Sequence, residues 1–383
     1  MMGTVWISEK AAEELDKGAL HVYAQNVEKA EGNAGDWVEI RYGNEVIGWG
    51  FYNPKSAIAL RLFAREEADP KEIIFKRIED AESWKGRIYE NTYRWIFAEG
   101  DLLPGLVLDR FENVAVVLNQ TRGLEKYLKS IAGILKEYGV DHVYLKGKGK
   151  GRKREGLPQK EAWLIGGIEK PVVVEEGNAR FYVDAVGGQK TGLYLDQREN
   201  RIELERFVQK GDEILDVFAS TGGFGIHAAV SGGKATFVEL GRNASRMIER
   251  NMKLNKVKGR IITADALDAM KRLERKGKKY DVVVLDPPAL AKGRGDADKA
   301  RKMYFQINQI GMKLLREGGL LITCSCSYPI TPKDFIAIAR WSAEKDGRII
   351  KMMGSLRGQA PDHSVYLPQP ETQYLKCMFA RIE

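Results

Sequence analysis

The stretch Glu213 to Val230, EILDVFASTGGFGIHAAV, leaves this chain few folds to choose from. Ile214, Leu215, Val217 and Phe218 form a short apolar run rich in β formers, too brief for a helix standing alone, with one acid, Asp216, inside it. Ser220-Thr221-Gly222-Gly223 interrupts, and a helical pattern follows through Ile226 and Ala229. Strand, Gly-rich turn and helix in that order predict the first βα turn of a doubly wound α/β domain, where such folds take up nucleotides. Glycines there let the backbone approach a ligand closely, and the free N–H groups of the helix face the same place. No Gly-Lys-Ser/Thr follows, so this is not a phosphate loop, and the missing G-x-G-x-x-G spacing argues against a plain NAD site.

The residues downstream extend the pattern. Lys234–Leu240, KATFVEL, predicts a second strand ending in Glu239, roughly 20 residues after Asp216, where an acid can accept hydrogen bonds from a ribose diol. Gly259–Asp265 predicts a third strand, with Asp265 placed to reach an adenine edge. Tyr280–Asp286, followed by Pro287-Pro288, and Gly319–Cys326 predict a fourth and a fifth. Helical stretches at Arg246–Leu254 and Met303–Leu315 lie between strands, so the alternation predicts a parallel sheet with right-handed crossovers. Each acid alone reads as a solvated loop carboxylate; together with the Gly turn they define one crevice.

Residues 213–382 resemble a class I S-adenosylmethionine (SAM) methyltransferase, and DVFASTGGF, FVEL, ITADAL, VLDPP and LLITCSCS carry the resemblance. Thr372–Ile382 is similar to the last strand of that fold, which inserts antiparallel. The resemblance implies SAM as cofactor, S-adenosylhomocysteine as product and no metal. It implies cofactor contacts on Gln197, Asp216, Phe218, Thr221, Gly222, Gly223, Glu239, Asp265, Ala266 and Asp286.

At 383 residues the chain is expected to hold two or three domains, and 44% hydrophobic residues suffice for ordinary cores. Its net charge of +8 favours a polyanionic partner. No signal peptide or membrane-length apolar run is present, which implies a cytoplasmic protein with no membrane partner. Three cysteines, all beyond residue 320, give no disulfide framework. The oligomeric state stays open, a homodimer included.

Residues 1–68 read as a small β-barrel, with a hairpin at Tyr42-Gly43-Asn44-Glu45. Gly35-Asp-Trp-Val and Gly48-Trp-Gly-Phe-Tyr-Asn-Pro54 resemble a PUA domain, an RNA-binding module; a generic β domain with buried tryptophans is the plainer reading. Residues 69–184 read as a central α+β domain, and 185–383 as the methyltransferase domain. Within the centre, Lys146–Arg154, KGKGKGRKR, reads either as a mobile solvated loop or as an arm for phosphates. Gly187–Arg201, GGQKTGLYLDQRENR, reads as a helix start capped by Asp196, or as a lid near the methionine end of the cofactor. This string, with EGDLLPGLVLDRF upstream, resembles the RlmI-like family of 23S ribosomal RNA cytosine-C5 methyltransferases, whose domain order is the same. The resemblance implies RNA, 23S rRNA in particular, as partner.

Residue chemistry points the same way. A pyrimidine C5 is a poor nucleophile until a thiolate adds to C6. Such catalysis needs a cysteine in the crevice and an acid holding the N3/N4 edge of the base. Asp286 ends the fourth strand and Cys326 the fifth, and two prolines after Asp286 make a stiff wall for a flipped base. Cys324 and Cys326 would face one side of a strand, with Cys326 nearer the crevice. Cys324 and Cys377 read as buried small apolar residues. Ala289 follows Pro288, so the second cysteine of some cytosine-C5 enzymes is missing. Two rival readings are an N-methyltransferase acting on an RNA purine and a non-catalytic RNA-binding or assembly protein. The first expects an aromatic at position 289, and the second has no need of Asp216, Glu239, Asp265, Asp286 and Cys326 together.

Overall fold

The fold is described from a computed structural model, covering residues 2–188, 190–291 and 293–383. Gln189, within the expected lid, lies outside the described residues. Backbone contacts divide the chain into two units. The first holds residues up to Val174 with 183–195 and 361–372; the second holds 175–182, 196–360 and 373–383.

The first unit contains two sheets. A six-stranded sheet runs in the order His21–Tyr23, Ile58–Ala64, Glu45–Tyr52, Trp37–Tyr42, Gly3–Ile7, Val27–Glu31. The hairpin expected at Tyr42–Glu45 is present, with Gly43 at φ +55°, in the left-handed region that glycine adopts without strain. Gly50 must be glycine for a different reason: a Cβ there would lie 1.9 Å from the Arg61 carbonyl oxygen of the next strand. Val5, Ile7, Val38, Ile40 and Leu60 bury their side chains beside the helix Glu9–Asp16, which Ser8 caps.

A five-stranded sheet follows, in the order Ala162–Ile165, His142–Leu145, Val114–Asn119, Leu106–Phe111, Thr92–Phe97. The helix Pro70–Lys85 begins at an Asp69 cap, and Ile74, Ile78 and Ala81 turn inward.

The basic run 146–154 differs from its expected form. Lys150–Arg154 is a short helix, and Arg152 is buried in an ion pair with Glu125 and a bond to the Asn119 carbonyl. Lys146 is buried too, donating to the Val186 and Gly188 carbonyls (2.7 Å each). The next residue, Glu155, is held by Arg61, Asn53 and Ser56 of the N-terminal sheet. The segment is therefore clamped to both sheets, and Lys148, Lys150, Lys153 and Arg154 are the members left exposed. Composition showed the charges but not that two of them are structural.

In the second unit a seven-stranded sheet runs Gly259–Thr263, Lys234–Glu239, Glu213–Val217, Tyr280–Leu285, Leu315–Ser325, Lys376–Ile382, Ile350–Met352. The first five strands are parallel and Lys376–Ile382 pairs antiparallel with Leu315–Ser325. This is the Rossmann-like α/β sheet expected, with one short edge strand, Ile350–Met352, that the sequence pattern did not reveal. Strand order reverses direction between Glu213–Val217 and Tyr280–Leu285, so ligand space opens beyond their carboxyl ends.

Candidate active site

The Gly-rich turn is conformationally exacting. Phe218, Ser220 and Gly222 have φ of +63°, +50° and +87°, and the two non-glycine residues carry a strain of about 1–3 kcal/mol each. Side chains around the turn hold it in place. Asp216 is buried and accepts the Gly225 N–H (2.8 Å), so it closes the first turn of the helix Gly223–Val230. Glu239 accepts the Ser220 N–H on one oxygen and the Gly241 N–H on the other (2.8 Å each). Asn251, fully buried, donates to the Thr221 carbonyl (2.9 Å).

Beneath the turn lies Arg201: a Cβ on Gly223 would come within 2.7 Å of its Cδ. Arg201 pairs through two nitrogens with the buried carboxylate of Glu176, which Arg198 also approaches. The fully buried ring of His227 bridges Glu176 and Glu205 through its two nitrogens. Both ring nitrogens face carboxylates, so the partners raise the His227 pKa against the effect of burial. Asn251, Arg201, Glu176 and His227 hold the ground around the turn and were missed by sequence patterns.

Burial lifts the Asp216 carboxyl to about pH 7, and the like charges of Asp286 and Glu239 add to that lift, while Gly225 and Arg201 oppose it. Acids that repel one another in this way favour a cationic ligand. SAM carries an ammonium and a sulfonium, so the residues fit it. Gln197 joins this group, donating to Asp286 Oδ1 (3.0 Å) while its own carbonyl oxygen accepts from Asn200. Asp265 is exposed just past the end of the outermost strand, where the Ala264 N–H donates to the Glu239 carbonyl (3.1 Å), and it caps the helix Ala266–Arg275 through the Asp268 N–H. Ala266 is the buried first residue of that helix. Asp196 does not cap the following helix. Gln197 occupies the cap position, its side chain making no capping bond, and Asp196 accepts the Tyr374 hydroxyl instead.

The three cysteines divide cleanly. Cys324 and Cys377 face each other across the antiparallel pair, Sγ to Sγ 3.2 Å, both fully buried, and burial pushes the Cys324 thiol well up. Cys326 is half-exposed just past its strand, its thiol 4.0 Å from the Pro287 carbonyl. Ser327 pins the chain after the prolines by accepting the Leu290 and Ala291 N–H groups (2.9 and 3.1 Å). The buried Tyr304 hydroxyl meets the same Ser327 oxygen at 3.0 Å.

These features are those of a SAM-dependent methyltransferase, and comparison with known proteins agrees. Residues 152–346 match a family model described as S-adenosylmethionine-dependent methyltransferase, and residues 5–65 match one described as PUA-like domain. A Methanocaldococcus jannaschii relative named "Putative ribosomal RNA large subunit methyltransferase MJ1653" is 37% identical, covering 96% of each chain. The ribosomal RNA large subunit methyltransferase I of Shewanella frigidimarina is 35% identical over 93% of each. A solved structure described as "SMU.776, a putative methyltransferase complexed with SAH" superposes with a TM-score of 0.84 over the whole of both chains at 18% identity. The chain belongs to the SAM-dependent methyltransferase family, within the group that contains ribosomal RNA large subunit methyltransferase I, and SAM is its cofactor.

Glu239→Ala is expected to weaken SAM binding by roughly 1.5–3 kcal/mol, the usual loss for a charge-assisted bond. Calorimetry on the folded variant checks this, and unchanged affinity would remove Glu239 from the cofactor site.

Proposed function

We propose that this protein methylates C5 of a cytidine in large-subunit ribosomal RNA, with Cys326 as nucleophile and Asp286 on the N3/N4 edge of the base. The observation that carries the proposal is the position of Cys326: of the three thiols it is the one that is not buried, and it lies beside the Asp286-Pro287-Pro288 turn. The names borne by the relatives support ribosomal RNA as substrate.

When bound, SAM supplies an electrophilic methyl group on sulfur. The protein supplies the nucleophile that makes C5 reactive. Cys326 Sγ bonds to C6, and the C5–C6 electron pair becomes available at C5 for the methyl group. Transfer of the C5 proton to water then returns the electron pair that expels the thiolate. Asp286, whose carboxyl group is oriented by Gln197, accepts from the N4 amine and, as the acid, gives its proton to N3, which offsets the negative charge that thiolate addition places on the ring. The prolines and the Ser327-pinned turn form a rigid wall against which an extruded base can lie.

The test is direct: incubate the protein with labelled SAM and ribosomal RNA, digest, and identify the nucleoside. The expected product is 5-methylcytidine, and a methylated purine would contradict the proposal. RNA affinity is assigned to residues 1–68 and to the exposed part of the basic run. Neutralising Lys148, Lys150, Lys153 and Arg154 is expected to weaken RNA binding and flatten its salt dependence by about one slope unit for each phosphate no longer neutralised. SAM affinity stays unchanged, and RNA binding indifferent to these substitutions would make the run a plain solvated surface.

A further inference from the structure

Lys376 begins the strand Lys376–Ile382 and pairs in register with Ser325, the residue before Cys326. Its side chain is 5% exposed, and Nζ donates to the carbonyl oxygen of Ser327, the residue after Cys326 (2.8 Å). Lys376 thus meets the chain on both sides of the thiol, through its backbone pairing with Ser325 and through its amine at Ser327. A buried ammonium ordinarily pairs with a carboxylate, as fully buried Lys85 does with Asp101. Among the described residues, no carboxylate oxygen lies within 4.0 Å of Lys376 Nζ.

We propose that Lys376 takes the proton of the Cys326 thiol and then holds the thiolate as its counter-ion, making it an activating residue for the nucleophile. This rests on the reading of Cys326 given above. The step balances within the protein: the Sγ–H bond breaks, the proton joins the lone pair on Nζ, and a thiolate–ammonium pair remains. The same ammonium stabilises the sulfur when the thioether is expelled.

The surroundings suit the role. Burial lowers the Lys376 pKa to about 8, with the charge of Cys326 acting in the opposite sense, so near neutral pH a fraction of Nζ is free to accept a proton. The titratable groups facing this corner are Cys326 on the adjoining turn, Tyr304 from the helix Ala297–Leu314, and Asp286 at the end of Tyr280–Leu285; Cys377, next along the strand, turns to the other face and meets Cys324. Burial pushes Tyr304 up to about 12, which keeps its hydroxyl neutral. Burial pushes the Cys324 thiol well up, 3.2 Å from Cys377 Sγ.

The test measures iodoacetamide alkylation of Cys326 against pH in the full-length protein, followed on the peptide holding Ser325-Cys326-Ser327. Cys324 and Cys377 are fully buried, so the folded protein reacts at Cys326. Wild type is expected to show a midpoint below the free-thiol value of about 8.5. Lys376→Met is expected to raise the midpoint by a unit or more, which is about a tenfold loss of rate at pH 7. The pH profile of turnover moves alkaline by the same amount. Lys376→Arg, which keeps the cation, restores the low midpoint. Lys376→Gln serves as the neutral variant should the methionine not fold, and thermal melting checks each. Identical alkylation profiles in wild type and a folded neutral variant would overturn the proposal. The alkylation uses neither RNA nor methyl transfer. A product other than 5-methylcytidine therefore sinks the proposed reaction and leaves the midpoint to decide on Lys376.

Discussion

Cys326→Ala is expected to bring methyl transfer below detection, a loss of at least about 10³-fold, while SAM and RNA affinities hold. The size follows from the chemistry. Without a bond to C6, C5 has no electron pair to offer, and positioning alone does not supply one. Cys324→Ala shortens a packed side chain 3.2 Å from Cys377 and is expected to retain most activity. Turnover assays with both variants, paired with calorimetry for SAM, separate the two sulfurs; an active Cys326→Ala enzyme would reject the nucleophile.

The largest expected effect on stability belongs to Glu176→Gln. The buried carboxylate pairs with Arg201, approaches Arg198 and meets the His227 ring, so its removal takes the paired carboxylate from the buried Arg201 guanidinium and leaves His227 to Glu205 alone. Breaking such a group from one side costs about 3–5 kcal/mol, a large part of a typical folding free energy. Denaturant unfolding checks the figure, and a loss under about 1 kcal/mol would show that the network relaxes or that water enters it. The pH dependence has two edges. Arg201 and His227 hold the Glu176 pKa well below its ordinary 4.5 despite burial, so its contribution is present above that value and is lost as pH falls through the folded value. His227 is raised above 6.5, so its contribution is full below 6.5 and fades as pH rises through its folded value. The network therefore contributes most between about 4.5 and 6.5, and Glu176→Gln is expected to flatten that maximum. Because Arg201 packs under Gly223, SAM affinity is expected to fall with it.

The sheet of the second unit was legible because short β-rich runs with clear ends alternate with helical periodicity. Asp216, Glu239, Asp286 and Cys326 could be placed at strand ends for the same reason. What the pattern did not carry was long-range pairing. Glu176 meets Arg201 and His227 across 25 and 51 residues, and nothing local marks such a partnership. Lys376 heads a strand of apolar residues and resembles an ordinary charged strand start; only the register opposite Ser325 reveals its place beside Cys326. Arg152 was hidden differently, in a run of like charges where a clamped side chain looks the same as a solvated one. Ile350–Met352, three residues at a sheet edge, is too short for periodicity to register.

The central claim is a covalent bond between Cys326 and a cytosine ring, and trapping that bond tests it most directly. RNA bearing 5-fluorocytidine is incubated with the wild-type protein and SAM, then digested and analysed by mass spectrometry. Fluorine at C5 cannot leave as the proton does, so the thioether should persist after methyl transfer. The account predicts a methylated adduct on the peptide containing Ser325-Cys326-Ser327 and none with Cys326→Ala. An adduct on Cys324, or no adduct with an enzyme that methylates unmodified RNA, would contradict it.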